Sequence, residues 1–473
     1  VKLSDLPGLD DLGNAARLAA LHGDTLRYLQ DRGEWRVWQP PKWRSHQPAL
    51  VYRKAADVVR HMRDELPDLS DDAETDAKGT QHKSARAAYA AHIHRTSSRR
   101  AQEDMVRLCA HMEGIACVAA DFDTRVFELN TPAGVWSLAD DGGEGPNKPE
   151  LLHSKSTRVA PNPFQPTPTW DAFLRFVTCN DAELAAWLQR AVGMSLIGRQ
   201  QEHVFLFCSG DGGNGKGTFL NTLVDLLGDY GQTLPPNMLV ERKSDAHLTE
   251  LADLEGCRMV IGTEVPRGSA WDEVKIKMLT GGDRIRARKM RQDLYEFAAT
   301  HTFWISGNDR PRLRGTDNGI WRRMRVIPFN ARLTEAEMDI ELDRKLADEA
   351  PGILAWALEG CRLFRQHKLG WCEAVRSATE GYRKEEDILG GFIEEECILG
   401  DGVMVTKEAF RGALRMWLEA REYRPISDRA LKPDMLRKGF SEHRDGTAGV
   451  WHWCGVKLRT RWDVVVDDAK VRR

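Results

Sequence analysis

Gly210-Asp211-Gly212-Gly213-Asn214-Gly215-Lys216-Gly217-Thr218 follows the apolar run HVFLFC (203–208) and precedes FLNTLVDLL (219–227). That order reads as a buried strand, a glycine loop and a helix. Such a loop holds phosphate. Its glycines let backbone N–H groups curl around the anion, the helix N-terminus adds a favourable dipole, and Lys216 reaches the β- and γ-phosphates of a nucleotide. Gly217 stands where a magnesium-binding Ser or Thr is usual, so that hydroxyl is either Thr218, one place late, or replaced by water.

Downstream, further short apolar runs alternate with helical or loop segments: RMVI (258–261), TFWIS (302–306) and MRVIPF (324–329). With HVFLFC they predict a largely parallel sheet covered on both faces, an α/β core. The second run leads to Glu264, placed to hold metal or polarise an attacking water. The third leads to Asn308, suited to orienting water or sensing the γ-phosphate. Between them, five of the eight positions from Arg284 to Arg291 are basic. Alternation puts Arg284, Arg286 and Arg288 on one strand face, with Lys289 adjoining, which suits a nucleic-acid backbone. A solvated charged strand is the other reading. Arg322 and Arg323 stand just before the last run, where an arginine offered to a neighbouring subunit can stabilise charge on a transferred phosphate; a surface ion pair is the alternative.

Upstream, Leu184, Trp187, Leu188, Ala191, Val192 and Leu196 form one apolar helix face. Six prolines and three glycines between Asp140 and Thr169 predict an extended loop. Nearer the start, Leu18, Leu21, Leu26 and Leu29 have helical spacing, and Trp35, Trp38 and Trp43 mark short strands. The polar stretch from Asp64 to Glu103 is helix or mobile linker. A capping box, Thr334 to Glu337, opens a later helix. From Val403, a helix carrying Phe410, Leu414, Trp417 and Leu418, a second over Asp434–Phe440 and strands around Val450–Val456 predict a winged-helix-like unit. Residues 401–473 hold 16 Lys+Arg against 11 Asp+Glu, although the whole chain carries a net charge of −3.

With 473 residues, 41% hydrophobic and 29% charged, the chain is long enough for two or three cored domains and has no run fit to span a bilayer. Its start does not lead into a signal-peptide core. Nine cysteines without CxxC pairs or zinc spacing imply reduced thiols in a cytoplasm. Asp121 and Asp123, which invite reading as metal-binding acids, lack an evident His and third acid and are taken as surface or turn residues.

In order, GDGGNGKGTF, a strand leading to Glu264, LTGGDRIRAR, a strand leading to Asn308, and WRR before IPF resemble the superfamily 3 helicases, in their phage and plasmid primase-helicase branch with poxvirus-type relatives. The match covers about Trp170 to Leu369. DLGNAAR (11–17) and TWDAF (169–173) look like the helical domain preceding that motor. The resemblance implies a P-loop NTPase (AAA+-like) core with an N-terminal mainly helical domain and a C-terminal winged-helix-like domain. The divisions are 1–140 (N-terminal α/β accessory), 141–200 (loop and helical collar), 201–370 (ATPase core) and 371–473. It further implies a homohexamer, Mg2+ and ATP as cofactors, and 3′ to 5′ translocation on single-stranded and forked DNA, without a primase domain of its own and with a separate primase as a possible partner. By position, Lys216 and Thr218 hold phosphate and metal, Glu264 is the second Walker acid, Asn308 the sensor, and Arg322 or Arg323 the finger. Lys275, Lys277 and the basic hairpin face DNA. Two rivals stay open: a small-molecule nucleotide kinase, and a ring-forming initiator or regulatory NTPase that does not unwind processively.

Overall fold

The computed structural model describes residues 2–45, 47–72, 83–139, 142–235, 238–241, 248–262, 265, 268–290, 293–313, 318–334, 338–423, 425–446 and 449–460. Glu264 and residues 335–337 of the expected capping box lie outside them.

At the N-terminus, strands β1 (Leu26–Leu29), β2 (Glu34–Gln39), β3 (Lys42–Ser45) and β4 (Ala116–Cys117) form a sheet ordered β3-β2-β1-β4. Helices Asp11–His22, Pro48–Glu65, Ala85–Thr96 and Arg99–Cys109 accompany it. The tryptophan segment is strand as expected, with Trp38 and Trp43 paired across β2 and β3. The leucine periodicity misleads. Only Leu18 and Leu21 are helical; Leu26 and Leu29 lie on β1, Leu26 packing in the helical core and Leu29 beside Trp43 and Phe122. An i, i+3 pair on a strand points to opposite faces, and here both faces are covered. Within 64–103 the described part is mostly helix, with Ser84 and Ser98 capping Ala85–Thr96 and Arg99–Cys109 through Ala87 and Ala101 N–H.

Next, β5 (Glu128–Asn130), β6 (Val135–Ser137) and β7 (Gly143–Gly145) form a small antiparallel sheet. Among its described residues, the proline-rich segment expected as loop contributes only the edge strand β7 and a single turn over Pro149–Leu151 before Pro168 opens helix Pro168–Val177. Asp121 accepts from Val118 N–H at 2.9 Å and closes a local turn, whereas Asp123 accepts from Ser154 N–H at 2.8 Å and ties its segment to a stretch 31 residues further along.

The central sheet comprises β8 (Phe205–Ser209), β9 (Gly231–Leu234), β10 (Met259–Gly262), β13 (Thr302–Gly307) and β14 (Met324–Pro328), ordered β14-β8-β13-β10-β9 with every pairing parallel. Between β10 and β13, strands β11 (Arg284–Arg288) and β12 (Leu294–Ala298) form a separate hairpin. The four apolar runs are strands; β9, with Gln232 and Thr233, is an edge strand that apolarity does not mark. Alternation along β8 supplies two cores. Leu206 and Cys208 join Trp170, Trp187, Phe219 and Ile353, whereas Phe205 and Phe207 join Trp271, Ile276, Ile285 and Tyr382. The first core holds helices Ala182–Ser195, Lys216–Leu227 and Ala350–His367 against the sheet, with Trp170 stacked on Phe219 at 5.7 Å. Glu349 accepts from the N–H groups of Thr169 and Trp170, both at 2.9 Å, and so fixes helix Pro168–Val177 beside the glycine loop.

Helices Glu373–Glu386 and Ile388–Glu396 lead to β15 (Cys397–Thr406), helices Lys407–Ala420 and Asp428–Arg437, and strands β16 (Ser441–Arg444) and β17 (Trp451–Leu458). The three strands form an antiparallel sheet ordered β15-β17-β16 over a core of their own around Phe392, Phe410, Trp417 and Trp453. The second helix, expected over Asp434–Phe440, begins six residues earlier, at Asp428, runs through Pro433 and ends at Arg437. No helix among the described residues is long and apolar enough to cross a membrane.

Candidate nucleotide site

Parallel strands bring their C-terminal ends to one sheet edge, where open α/β sheets bind ligands. β8 ends at Ser209, opposite Gly307 of β13, so the glycine loop and Asn308 leave the sheet side by side. Two glycines are packing requirements. A Cβ on Gly210 would lie 2.2 Å from the Phe329 carbonyl, and one on Gly215, at φ +83°, would lie 2.7 Å from Val177. By contrast, Gly212, Gly213 and Gly217 face open space where a Cβ would stand, leaving the loop's outer side free for a ligand. Asn214 is buried and donates to the Phe329 carbonyl at 2.9 Å, pinning the loop to the chain beyond β14.

Lys216 is the first residue of its helix and is 6% exposed. Its Nζ donates to Gly210 O at 2.6 Å, Asp211 O at 3.0 Å and Asn214 Oδ1 at 3.0 Å. All three acceptors are neutral oxygens. Burial lowers its pKa, while Cys208 and Asp211 oppose the shift. A desolvated ammonium without a bonded carboxylate suits an incoming polyanion.

A cleft of about 680 Å³ opens beside the loop, lined by Gly210, Asp211, Asn308, Arg310, Arg332 and Glu385 among others. Lys216, Asn308 and the loop glycines therefore gather at one edge. β10, which leads towards Glu264, is in register with β13 there, Gly262 opposite Ile305. Arg310 lines the cleft as well and was not singled out from the sequence, where nothing in its local pattern marks it. Arg322 and Arg323 lie elsewhere. They precede β14, whose Met324 pairs with Phe205, at the opposite end of the sheet from Ser209. Arg322 lines a separate cleft of about 520 Å³ with Trp321, Trp371, Thr379, Glu380 and Arg383.

On the hairpin, Arg284, Arg286 and Arg288 are exposed while Ile285 and Ala287 are buried, which is the alternation read from sequence. Arg284 lies 3.6 Å from Glu296 of β12. Lys289 leaves that row: it is half-buried near Arg32, Glu34, Arg36 and Glu255, and burial lowers its pKa. Lys275 donates to Met238 O at 3.2 Å and lies 3.4 Å from Asp272, while Lys277 lies 3.9 Å from Glu273.

The family described as "D5 N terminal like" matches residues 15–179, and a family of unknown function, DUF5906, matches 208–323. The chain is 29% identical over 243 residues to putative helicase L207/L206 of Acanthamoeba polyphaga mimivirus, covering 47% of this chain and 25% of that protein. It is 27% identical over 283 residues to putative helicase 022R of Frog virus 3, covering 55% and 29%. It is 25% identical over 270 residues to putative primase C962R of African swine fever virus, covering 51% and 28%. The chain thus spans under a third of each relative's length. In fold it is similar to the NrS-1 C-terminal region, with TM-score 0.53 and 12% identity over 95% of this chain and 100% of that one. By these matches the chain is similar in sequence to the D5-like primase/helicase superfamily of superfamily 3 helicases, and in fold to the NrS-1 C-terminal region.

Proposed function

We propose that the protein is an ATP-dependent DNA helicase motor of a phage, prophage or plasmid, working in the cytoplasm as a homohexamer and translocating 3′ to 5′. The carrying observation is Lys216, a buried ammonium bonded to neutral oxygens, beside Asn308 at the strand edge. In this reading the loop from Gly210 to Thr218 cradles ATP and Lys216 binds its phosphates. Mg2+ neutralises phosphate charge when bound; the Thr218 hydroxyl and the Glu264 carboxylate are the groups that would hold it. Asn308 senses the γ-phosphate. Arg322 and Arg323 stand at the sheet's far end from Lys216, which favours either of them acting on a neighbouring subunit's nucleotide rather than their own.

Arg284, Arg286 and Arg288, with Lys275 and Lys277, form the proposed DNA face. The C-terminal helices and three-stranded sheet act as a winged-helix-like domain, the divisions being 1–140, 141–200, 201–370 and 371–473, and a separate primase serves as partner. Changing Arg284, Arg286 and Arg288 together to Glu is expected to weaken single-stranded DNA binding by about tenfold or more and to flatten its salt dependence, each lost phosphate contact removing about 0.7 from the log–log slope. Fluorescence anisotropy at several salt concentrations measures both; an unchanged slope removes the hairpin from the DNA path.

Strand displacement on forked DNA tests the activity. ATP-dependent release favouring a 3′-tailed substrate is expected. DNA binding and ATP turnover with no release on any fork would instead make the protein an initiator-type NTPase.

A further inference from the structure

The segment after Asn308 is fastened at three points to the end of helix Glu373–Glu386. Arg310 Nη1 donates to both carboxylate oxygens of Glu385, at 2.8 and 2.7 Å. The Pro311 carbonyl accepts from the Tyr382 hydroxyl, which itself accepts from Trp271 Nε1 at 3.1 Å. Leu313 N–H donates to Glu386 Oε2 at 2.7 Å. One residue later, Asp387 caps helix Ile388–Glu396 through Gly390 N–H at 2.9 Å, and that helix belongs to the C-terminal core. A continuous chain of contacts therefore runs from the strand end beside the phosphate-binding loop to the C-terminal unit.

The three ties differ in where they sit. Tyr382 is buried in the second core, and Glu386 is half-buried beneath the segment. Arg310 and Glu385, however, both line the cleft beside Gly210 and Asp211, and Arg310 Nε lies 3.5 Å from Ser209 Oγ, at the last residue before the glycine loop. The Glu385 side chain is 61% exposed and that of Arg310 32%, so water screens this pair heavily. A polyphosphate entering the cleft repels the carboxylate and offers the guanidinium a more highly charged partner of matching geometry.

We infer that Arg310 is a nucleotide-contacting residue of the chain's own site, held by Glu385 until a triphosphate draws it away, and that this exchange loosens the junction to the C-terminal unit. The inference rests on the nucleotide-site reading above and assigns that site a regulatory partner.

Equilibrium binding of a fluorescent non-hydrolysable ATP analogue and of fluorescent ADP to the full chain tests it. Arg310→Ala is expected to weaken analogue binding about tenfold, and Glu385→Gln to strengthen it about threefold, with ADP changed less than twofold in both. Hydrogen exchange at amides 382–396 should quicken when the analogue is added to the unmodified chain and stay unchanged with Arg310→Ala. If Arg310→Ala and Glu385→Gln both bind the analogue like the unmodified chain, while Lys216→Ala does not bind it, the exchange is overturned and the nucleotide site stands. Absence of analogue binding by the unmodified chain overturns both. Because Glu385→Gln is isosteric and exposed, it keeps the test decisive if Arg310→Ala folds poorly.

Discussion

Lys216→Ala is expected to lower ATP turnover by about a thousandfold, the loss that follows removal of one preorganised charge-stabilising donor. The ammonium already sits at the loop, bonded to Gly210 O, Asp211 O and Asn214 Oδ1, so nucleotide binding requires only an exchange of acceptors. Stability should scarcely change. Three hydrogen bonds disappear, yet so does the desolvation that lowers the lysine's pKa, and Asn214 keeps its own bond to the Phe329 carbonyl. A net change within about 1 kcal/mol is expected, because a typical bond and a buried charge of this kind nearly offset. Phosphate release and thermal melting measured on the same preparation separate the two effects. A variant that loses turnover only because it unfolds would mark Lys216 as structural.

Gly193→Ala should produce the largest loss of stability. Helix Ala182–Ser195 crosses helix Ala350–His367 so closely that a Cβ on Gly193 would lie 2.0 Å from both Cys361 N and Gly360 C. The crossing is reciprocal, since a Cβ on Gly360 would lie 2.1 Å from Gln189 O. Backbone cannot step aside as a side chain can, so the helices must separate. The opened interface belongs to the core that seats helix Lys216–Leu227. A cost of about 3 kcal/mol is expected from such overpacking. Gly381→Ala, within helix Glu373–Glu386, is the contrasting control: its added Cβ meets nothing within 4 Å, and helix propensity favours the change by up to about 1 kcal/mol. Calorimetry should show opposite shifts in Tm for the two substitutions. Equal Tm values for Gly193→Ala and the unmodified chain would mean that the helices do not cross this closely.

Those two positions illustrate what was and was not legible in the sequence. The strands β8, β10, β13 and β14 could be read because they are buried runs bounded by polar turns, and their order placed Lys216 and Asn308 at one edge. The arginine row on β11 followed from simple alternation. Strand β9 escaped because an edge strand needs little apolarity, and Gly231-Gln232-Thr233-Leu234 resembles a loop. Leu26 and Leu29 were misread because helical spacing and a strand buried on both faces coincide over four residues. Arg310 and the Gly193–Gly360 crossing depend on partners 75 and 167 residues away in sequence, which no local pattern carries.

The central claim, a DNA-driven ATP motor, is met most directly by ATP hydrolysis of the purified chain with and without single-stranded DNA, alongside Lys216→Ala. The account predicts turnover that DNA stimulates and that the substitution abolishes. Robust turnover indifferent to DNA, or dependent on a nucleoside monophosphate acceptor, would contradict it.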